Sequence, residues 1–194
     1  MNVNVILPTL NEEKGVGKTI DSIKTDSFKK NNWNLEIIIV DGESKDKTRE
    51  IAKSKGAKII IEKRKGYGRA YKTGISKATG DIIVTGDADA TYPFDRIHLI
   101  LALALKVLFL INLRDSQSGM WIFRKEALKK IQPLEDFNDG MPFSEEIKIE
   151  MFSNKNIKTK EIPSALYARE GDVKLQSFTD GIKNFKYLFK KRVN

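Results

Sequence analysis

The chain has 194 residues, of which 40% are hydrophobic and 31% are charged, and this composition predicts a soluble globular protein with one sizeable core. It has no cysteine, which excludes disulfides, thiolate metal sites and a cysteine nucleophile, and favours a reducing compartment. Lys and Arg number 35 against 26 Asp and Glu, a formal charge of +9, which predicts a polyanionic partner: nucleic acid, a phosphorylated substrate or an anionic membrane.

Strand and helix patterns alternate over the first ninety residues. Apolar runs typical of buried strands cover Asn4–Leu7, which Pro8 should end, and then Leu35–Val40, Ala57–Ile61 and Ile82–Thr85. Helical patterns cover Lys14–Phe28, Ser44–Ser54 with Ser44 as N-cap, and Gly66–Ala78 with Gly80 as C-cap. Since βα units join by right-handed crossovers, we predict an α/β fold with a Rossmann-like, mostly parallel sheet and flanking helices.

The second half of the chain is less regular. Residues 97–113 are almost wholly apolar but include Lys106, so they predict a buried or membrane-skimming helix and not a span of about 20 residues. Further elements are a strand at Met120–Phe123, helices at Arg124–Ile131 and Ser144–Phe152, and an edge strand at Ile157–Ile162.

The C-terminal residues 177–194 predict a basic amphipathic helix. Such a helix can lie on an anionic lipid surface, or it can pack on the domain with its charged face in solvent. The N-terminus lacks the charged and apolar regions of a secretory signal. We therefore predict a cytoplasmic protein, peripheral at the inner face of the cell membrane.

Polar side chains follow three of the predicted strands. Asn11 and Glu12 follow the first strand, Asp41 follows the second, and Asp87 and Asp89 follow the fourth. The carboxyl ends of parallel strands share one edge of a sheet, where ligands of such folds bind. Two aspartates spaced two residues apart on an extended backbone face the same way, and carboxylate oxygens suit Mg²⁺ or Mn²⁺. The pattern favours a metal site over a solvated turn.

Several segments, in their order along the chain, resemble those of the family 2 glycosyltransferases. The resemblance extends from residue 3 to about residue 176 and is strongest to the polyprenyl-phosphate branch, which includes dolichyl-phosphate mannose synthase. The similar segments are Pro8–Glu12, Val40–Asp41, Gly66–Ala70, Asp87–Asp89, Asp115–Gly119 and Arg169–Leu175.

The resemblance implies a GT-A fold and an inverting transferase of protein glycosylation. A sugar would pass from a nucleotide diphosphate sugar, with GDP-mannose favoured, to dolichyl or polyprenyl phosphate at the membrane surface. UDP-glucose or UDP-N-acetylglucosamine as donor, and a polysaccharide as acceptor, are alternatives. Residues 1–176 would form the transferase domain, with a donor half to about residue 95 and an acceptor half beyond it.

The family motifs also imply roles for single residues. The base and ribose would be held by Pro8, Leu10, Glu12, Ile39 and Asp41. The metal would be held by Asp87 and Asp89, in a donor-binding segment that includes Ala88, and the donor phosphates would contact Arg169 and Lys174. The acceptor side would include Asp115, Gln117 and Ser118, with Asp89 and Asp115 as the catalytic candidates.

Asp115 is better suited to orienting the acceptor than to deprotonating it. A phosphate monoester has a second pKa of about 6 and is mostly ionised at neutral pH. The nucleophile therefore needs a position more than it needs a base.

The chain departs from the family pattern at three places. Thr91 stands where the family has a metal-side Gln, and Gly42 stands where a second Asp is usual. Asp89 and Asp115 are also too close in sequence for the strand, arginine-bearing loop and helix that the family has between them. Either the enzyme is shortened here, or a segment between about Arg96 and Leu101 is missing from the chain; we favour the second.

Two other classes of protein fit the sequence less well. A nicotinamide-binding enzyme is disfavoured because Gly66 and Gly68 follow the third strand and Tyr71 replaces the third glycine of the fingerprint. The charge of +9 is compatible with a nucleic-acid-binding module. The chain lacks the aromatic pattern and helix-turn-helix pattern of such modules, so we predict no nucleic-acid partner.

Overall fold

The structure, a computed structural model, describes residues 1–91, 119–165 and 167–170. Its centre is a five-stranded sheet with the order β3-β2-β1-β4-β5. The strands are β1 (Asn2–Thr9), β2 (Asn34–Asp41), β3 (Lys58–Ile61), β4 (Ile82–Thr85) and β5 (Ile122–Arg124). The first four are parallel and β5 is antiparallel to β4, so the prediction of a mostly parallel α/β sheet is confirmed.

Helices cover both faces of this sheet. They are α1 (Val16–Ser22), α2 (Thr25–Lys30), α3 (Thr48–Ser54), α4 (Tyr67–Lys77) and α5 (Phe143–Ser153). Alternate residues of β1 divide between two cores: Val5 and Leu7 pack with α1 to α3, and Ile6 packs with α4 and α5. This alternation is the two-residue period of a strand covered on both faces.

Strand β1 does not end at Pro8, as the sequence predicted, but continues to Thr9 with Pro8 opposite Val40 of β2. The carbonyl of Thr9 accepts a hydrogen bond from Gly42 and therefore faces β2. The nitrogen of Pro8 consequently faces β4, whose pairing with β1 already ends at Ile6 and Thr85. The missing N–H costs no ladder bond there, because proline is tolerated where pairing has stopped.

The predicted helix over residues 14–28 is two helices. The backbone of Ile23 is extended after α1, and the Ser22 hydroxyl donates to the carbonyl of Thr19, a local bond that competes with helix continuation. The break allows both Ile23 and Phe28 to be buried.

Two predicted helix caps are wrong. Helix α3 begins at Thr48, because Ser44 hydrogen-bonds the Asp41 carboxylate and does not cap the helix. Helix α4 ends with Ala78 as its extended C-cap, and the N–H of Gly80 donates to the Asn4 side chain.

The later elements agree only in part with the sequence. Strand β5 and helix α5 are confirmed with slightly shifted ends, and the helix predicted over residues 124–131 is a 3₁₀ helix, Lys125–Lys130. A second 3₁₀ helix covers Leu134–Asp136. The edge strand predicted at Ile157–Ile162 is wrong, since these residues pair with no strand among the described residues.

The apolar run 97–113 and the tail 177–194 lie outside the described residues. Within the part that the structure describes, no helix is both long and apolar enough to cross a membrane.

Candidate active site

The candidate site lies at the carboxyl edge of the parallel sheet. Thr9 at the end of β1 lies beside Asp41 at the end of β2, and the chain beyond β4 brings Asp87 and Asp89 to the same edge. A hydrogen bond joins Thr9 to Asp41, and ion pairs of Arg169 join Glu12 to Asp89. The predicted common edge is therefore present.

The Asp41 carboxylate is fully buried and hydrogen-bonded at both oxygens. Oδ1 accepts from the N–H of Ser44 at 2.9 Å, and Oδ2 accepts from the hydroxyls of Thr9 at 3.0 Å and Ser44 at 2.5 Å. The Nε atom of Arg49 lies 3.6 Å from Oδ1. Asp41 thus fixes the loop after β2 against β1.

The loop after β1 is held against the loop after β2. The left-handed backbone of Asn11, at φ 52°, directs its N–H to the Ser44 hydroxyl at 2.9 Å and its side-chain oxygen to the N–H of Lys45 at 2.8 Å. The N–H of Glu12 donates to the Thr48 hydroxyl at 2.7 Å. These bonds fix the position of the buried Glu12 side chain.

The other residues predicted to hold base and ribose differ in exposure. Leu10 is 48% exposed and lies beside Gly42, and Pro8 is partly exposed. Ile39 is fully buried in the core beneath the site.

Asp89 is 5% exposed, and each of its carboxylate oxygens has a polar partner. Oδ1 accepts from the N–H and the hydroxyl of Thr91, which forms a local turn. Oδ2 lies 3.0 Å from Nη1 of Arg169. The next residue, Ala90, has φ 64° and donates its N–H to the buried Thr19 hydroxyl at 2.9 Å.

Arg169 bridges two carboxylates from different loops. Its Nη2 atom lies 3.3 Å from Oε1 of Glu12, while its Nη1 atom contacts Asp89. The backbone of this segment is also attached to the site, because Tyr167 donates its N–H to Thr91 and Glu170 donates its N–H to Asp89, both at 2.9 Å. Arg169 thus joins the loops that follow β1 and β4, and its predicted contact with donor phosphates stays a prediction.

Asp87 carries the most perturbed carboxylate of the site. Loss of hydration and the nearby charge of Asp89 raise the pKa of Asp87 from 3.8 to about 6. The Tyr67 hydroxyl, which donates to Oδ1 at 3.3 Å, and the charge of Arg169 oppose this shift of the pKa. Perturbed carboxylates of this kind concentrate at functional sites.

A group of aromatic rings supports Asp87 from the α4 side of the sheet. The Tyr67 and Tyr71 rings are 4.9 Å apart, and Tyr71 stacks with Phe143 and contacts Trp121. The Tyr71 hydroxyl donates to the carbonyl of Gly86 at 3.3 Å, next to Asp87. The position of Asp87 therefore depends on packing between α4, α5 and the chain before β5.

The chemistry of this donor set fits a divalent cation. Asp87 and Asp89 lie close enough for one to raise the pKa of the other. Within the described part of the chain, Arg169 is the guanidinium beside them, and its one positive charge does not balance two carboxylates. No three Asp, Glu, His or Cys side chains form a ready metal site in residues 1–91, 119–165 and 167–170. This is compatible with Mg²⁺ or Mn²⁺, which keep several positions for water and substrate phosphate. Asp87 and Asp89 would hold the ion, as the sequence predicted.

Four predicted site residues, Asp115, Gln117, Ser118 and Lys174, lie outside the described residues, as does the region between about Arg96 and Leu101 where a missing segment was predicted. Sequence reasoning missed Gly15, Thr19 and Tyr67. A Cβ atom on Gly15 would lie 2.8 Å from the Ala88 carbonyl oxygen and the Asp89 Cα, so α1 begins directly against the metal-side loop. No pattern marks Thr19, and Tyr67 lies in the family-like segment Gly66–Ala70 but was given no role there. The glycine before α1 hinted at a close approach of backbone.

Comparison with known proteins gives a consistent result. Residues 4–107 match the model of the family described as glycosyl transferase family 2. The low-salt glycan biosynthesis hexosyltransferase Agl6 of Haloferax volcanii is 28% identical over 96% of this chain, which spans only 52% of that relative. The alignment covers 223 positions, more than the 194 residues of this chain, so the relative has residues without a counterpart here.

A second relative from Haloferax volcanii supports the polyprenyl-phosphate branch that the motifs indicated. It is named dolichyl-phosphate hexose transferase and is 27% identical over 91% of this chain and 88% of its own length.

A solved structure supports the predicted GT-A fold. Glucosyl-3-phosphoglycerate synthase from Mycobacterium tuberculosis, in complex with Mn²⁺, uridine-diphosphate and glucosyl-3-phosphoglycerate, superimposes with a TM-score of 0.63 at 20% identity. The match covers 84% of this chain and 73% of that one. With a family model that covers more than half of the sequence, the chain belongs to glycosyl transferase family 2.

Proposed function

We propose that this chain transfers a hexose from a nucleotide diphosphate sugar to a polyprenyl phosphate, with inversion at the anomeric carbon. The bond from that carbon to the β-phosphate oxygen breaks, a bond to an acceptor phosphate oxygen forms, and a nucleoside diphosphate leaves. The observation that carries this proposal is the pair Asp87 and Asp89 beside Arg169 at the carboxyl edge of the sheet. The transfer needs cationic groups where the leaving diphosphate gains charge, and this edge is built to hold them.

The protein's own residues divide the work of donor binding. Leu10 is exposed beside Gly42 and offers an apolar surface to the base. Asp41 fixes the loop after β2 and so shapes the base and ribose pocket. Arg169, with the predicted partner Lys174, contacts the diphosphate, because a planar guanidinium binds phosphate oxygens in pairs.

A divalent ion held by Asp87 and Asp89 supplies Lewis acidity and charge neutralisation to the leaving diphosphate. Thr91 donates to the Asp89 carboxylate, and the N–H of the next residue, Ala90, donates to Thr19. This carboxylate is therefore ordered before the donor arrives. Preorganised charge of this kind lowers the barrier without reorganisation during the reaction.

The acceptor phosphate has to be positioned at the membrane surface more than it has to be deprotonated. A phosphate monoester is already ionised at neutral pH, with a second pKa of about 6. Asp115, Gln117 and Ser118 are the proposed acceptor-side residues. The net charge of +9 and the predicted basic helix over residues 177–194 support peripheral attachment to the anionic inner face of the membrane.

The donor sugar has two candidates. GDP-mannose is the choice that the family resemblance favours. UDP-glucose is the second, since the glucosyl-3-phosphoglycerate synthase that shares the fold was also solved with Mn²⁺ and uridine-diphosphate-glucose.

The test is transfer of radiolabelled sugar to polyprenyl phosphate in anionic liposomes. GDP-mannose, UDP-glucose and UDP-N-acetylglucosamine are compared, each with Mn²⁺ and with EDTA. We expect a product soluble in organic solvent from one donor, with Mn²⁺ only. Asp89→Ala should abolish it, whereas Asp81→Asn, at the opposite end of β4, should preserve it.

Each failure identifies a different function. Transfer to a soluble polysaccharide without lipid would replace the proposed acceptor. Tight, salt-sensitive binding to RNA or DNA without any sugar transfer would favour the nucleic-acid-binding class.

A further inference from the structure

Arg169 occupies the position on Asp89 that a divalent cation needs. Oδ1 of this carboxylate accepts from the N–H and the hydroxyl of Thr91, and Oδ2 is ion-paired with Nη1 of Arg169 at 3.0 Å. A cation that binds Asp89 through Oδ2 therefore lies next to the guanidinium, whose positive charge repels it. Asp89 is 5% exposed, which leaves little room for a cation beside both.

The ion pair is the partner that can leave. The contacts from Thr91 are local, because they join residues two apart in one turn. The contact from Arg169 crosses 80 residues of sequence and is made by a side chain that is 24% exposed. Since Tyr167 and Glu170 attach the segment through backbone hydrogen bonds, the Arg169 side chain can change rotamer while its backbone stays in place.

The present position of Arg169 also leaves one of its donors unused. Its Nε atom is buried and has no hydrogen-bond acceptor within the described part of the chain. A buried N–H without an acceptor costs free energy. The guanidinium would gain by moving to a ligand with several oxygens, such as a diphosphate, which it can bind through two N–H groups.

We propose that the Arg169 guanidinium neutralises Asp89 and Glu12 when no metal is bound, and that it competes with the divalent ion for Asp89. When that ion binds, the guanidinium moves to the donor diphosphate. The inference rests on the proposed function, because it assumes a metal and a diphosphate at this site. It adds that binding of the divalent ion and binding of the donor are coupled. The ion binds weakly alone, and the donor strengthens its binding by giving Arg169 another anionic partner.

The first test measures Mn²⁺ affinity without nucleotide, from the electron paramagnetic resonance signal of free Mn²⁺, on the full chain. Arg169→Met should bind Mn²⁺ about tenfold more tightly than the unmodified protein, because a competing charge at a partly buried site has been removed. Lys18→Met is the matched control. It removes one positive charge from the same region, where Lys18 pairs with Glu170 at 2.8 Å but not with Asp89, and should change the affinity by less than about twofold.

The second test measures binding of GDP and UDP at saturating Mn²⁺ by calorimetry. Arg169→Met should weaken the preferred nucleotide at least tenfold, so the substitution acts in opposite directions on the two ligands. Arg169→Lys keeps the charge but cannot span both carboxylates. It should therefore increase Mn²⁺ affinity less than Arg169→Met does, and this comparison separates the bridge from its charge.

The outcomes distinguish this inference from the function beneath it. If the unmodified protein binds Mn²⁺ through Asp89, shown by loss of binding in Asp89→Asn, and Arg169→Met binds Mn²⁺ equally or less tightly, the competition is disproved and the metal site remains. If Asp89→Asn binds Mn²⁺ as well as the unmodified protein, the metal site and the competition are both disproved. Circular dichroism of each variant establishes that it is folded.

Discussion

Asp41 at the end of β2 and Asp89 beyond the end of β4 share one edge of the sheet and are both buried, yet their surroundings differ. Asp41 accepts bonds from two neutral hydroxyls and a backbone N–H, and its nearest cationic group is 3.6 Å away. Asp89 contacts the guanidinium of Arg169 directly and lies near Asp87, whose pKa its charge raises.

We infer from this difference that Asp41 has a structural role, and we propose a functional role for Asp89. Asp41 is satisfied within the protein, so its removal should cost stability. Asp89 and Asp87 repel each other, and among the described residues Arg169 is the cation beside them, so further positive charge would stabilise their arrangement. The position of an acid at the carboxyl edge does not identify its role, whereas the charge and hydrogen-bonding balance around it does.

The largest effect that would sharpen this comparison is expected from Asp89→Ala. We expect sugar transfer to fall about a thousandfold, because the metal that stabilises the leaving group is lost. The free energy of unfolding should fall less than in Asp41→Ala, since the Thr91 donors that lose their acceptor are only partly buried and the repulsion with Asp87 is removed. Initial rates at saturating Mn²⁺ and urea denaturation measure the two effects. Loss of both stability and activity would mean that Asp89 is structural, like Asp41.

Asp41→Ala should instead act mainly on stability, and we expect the free energy of unfolding to fall by about 3 kcal/mol. The substitution leaves buried donors of Thr9 and Ser44 without an acceptor. Asp26→Ala, in the first turn of α2, is the control. Its exposed carboxylate lies 3.7 Å from the exposed Lys29 and should contribute less than about 1 kcal/mol. Equal losses in urea denaturation would contradict the structural role of Asp41.

The sheet was predictable because its strands carry continuous β-branched runs and its helices lie between them. The end of β1 was not predictable. Pro8 is tolerated within β1 only because the pairing of β1 with β4 stops before it, and that pairing depends on the order of the strands in the sheet. Ser44 was predicted to cap a helix but instead hydrogen-bonds the buried Asp41 carboxylate three residues before it, because this local hydrogen bond competes with capping.

The sequence predicted the types of the candidate residues and the edge at which they lie. Asp87 and Asp89 were proposed from their spacing and Arg169 from its motif, and the structure brings these three side chains together. The bridge from Arg169 to Glu12 joins residues 157 positions apart in sequence, and the contact from Thr19 to Ala90 joins residues 71 apart. No periodicity or motif specifies such pairs, because they depend on how distant loops and helices meet at the edge of the sheet.

A pH titration of stability should distinguish Asp87 from an ordinary surface acid. Its pKa is about 6 in the folded protein against 3.8 in the unfolded chain, so the folded state binds this proton more tightly. The resulting stabilisation is complete below about pH 4 and is lost as the pH rises through 6, a loss of about 2 kcal/mol. Asp87→Asn cannot titrate and should not show this loss. Urea denaturation of both proteins at pH 4 and pH 7 measures the difference. A constant difference between them would contradict the raised pKa.

The smallest effect is expected from Tyr67→Phe. The substitution removes the hydroxyl that donates to Asp87 at 3.3 Å but keeps the ring packed 4.9 Å from Tyr71. A long hydrogen bond to a charged group contributes about 1 kcal/mol, so Mn²⁺-dependent nucleotide affinity should fall about threefold to fivefold. Tyr71→Phe is the control, because the Tyr71 hydroxyl donates to the carbonyl of Gly86 and not to a carboxylate. It should lower the free energy of unfolding while nucleotide affinity stays within about twofold. Equal effects of the two substitutions on nucleotide binding would mean that the aromatic group positions the whole loop, and that Tyr67 has no separate action on Asp87.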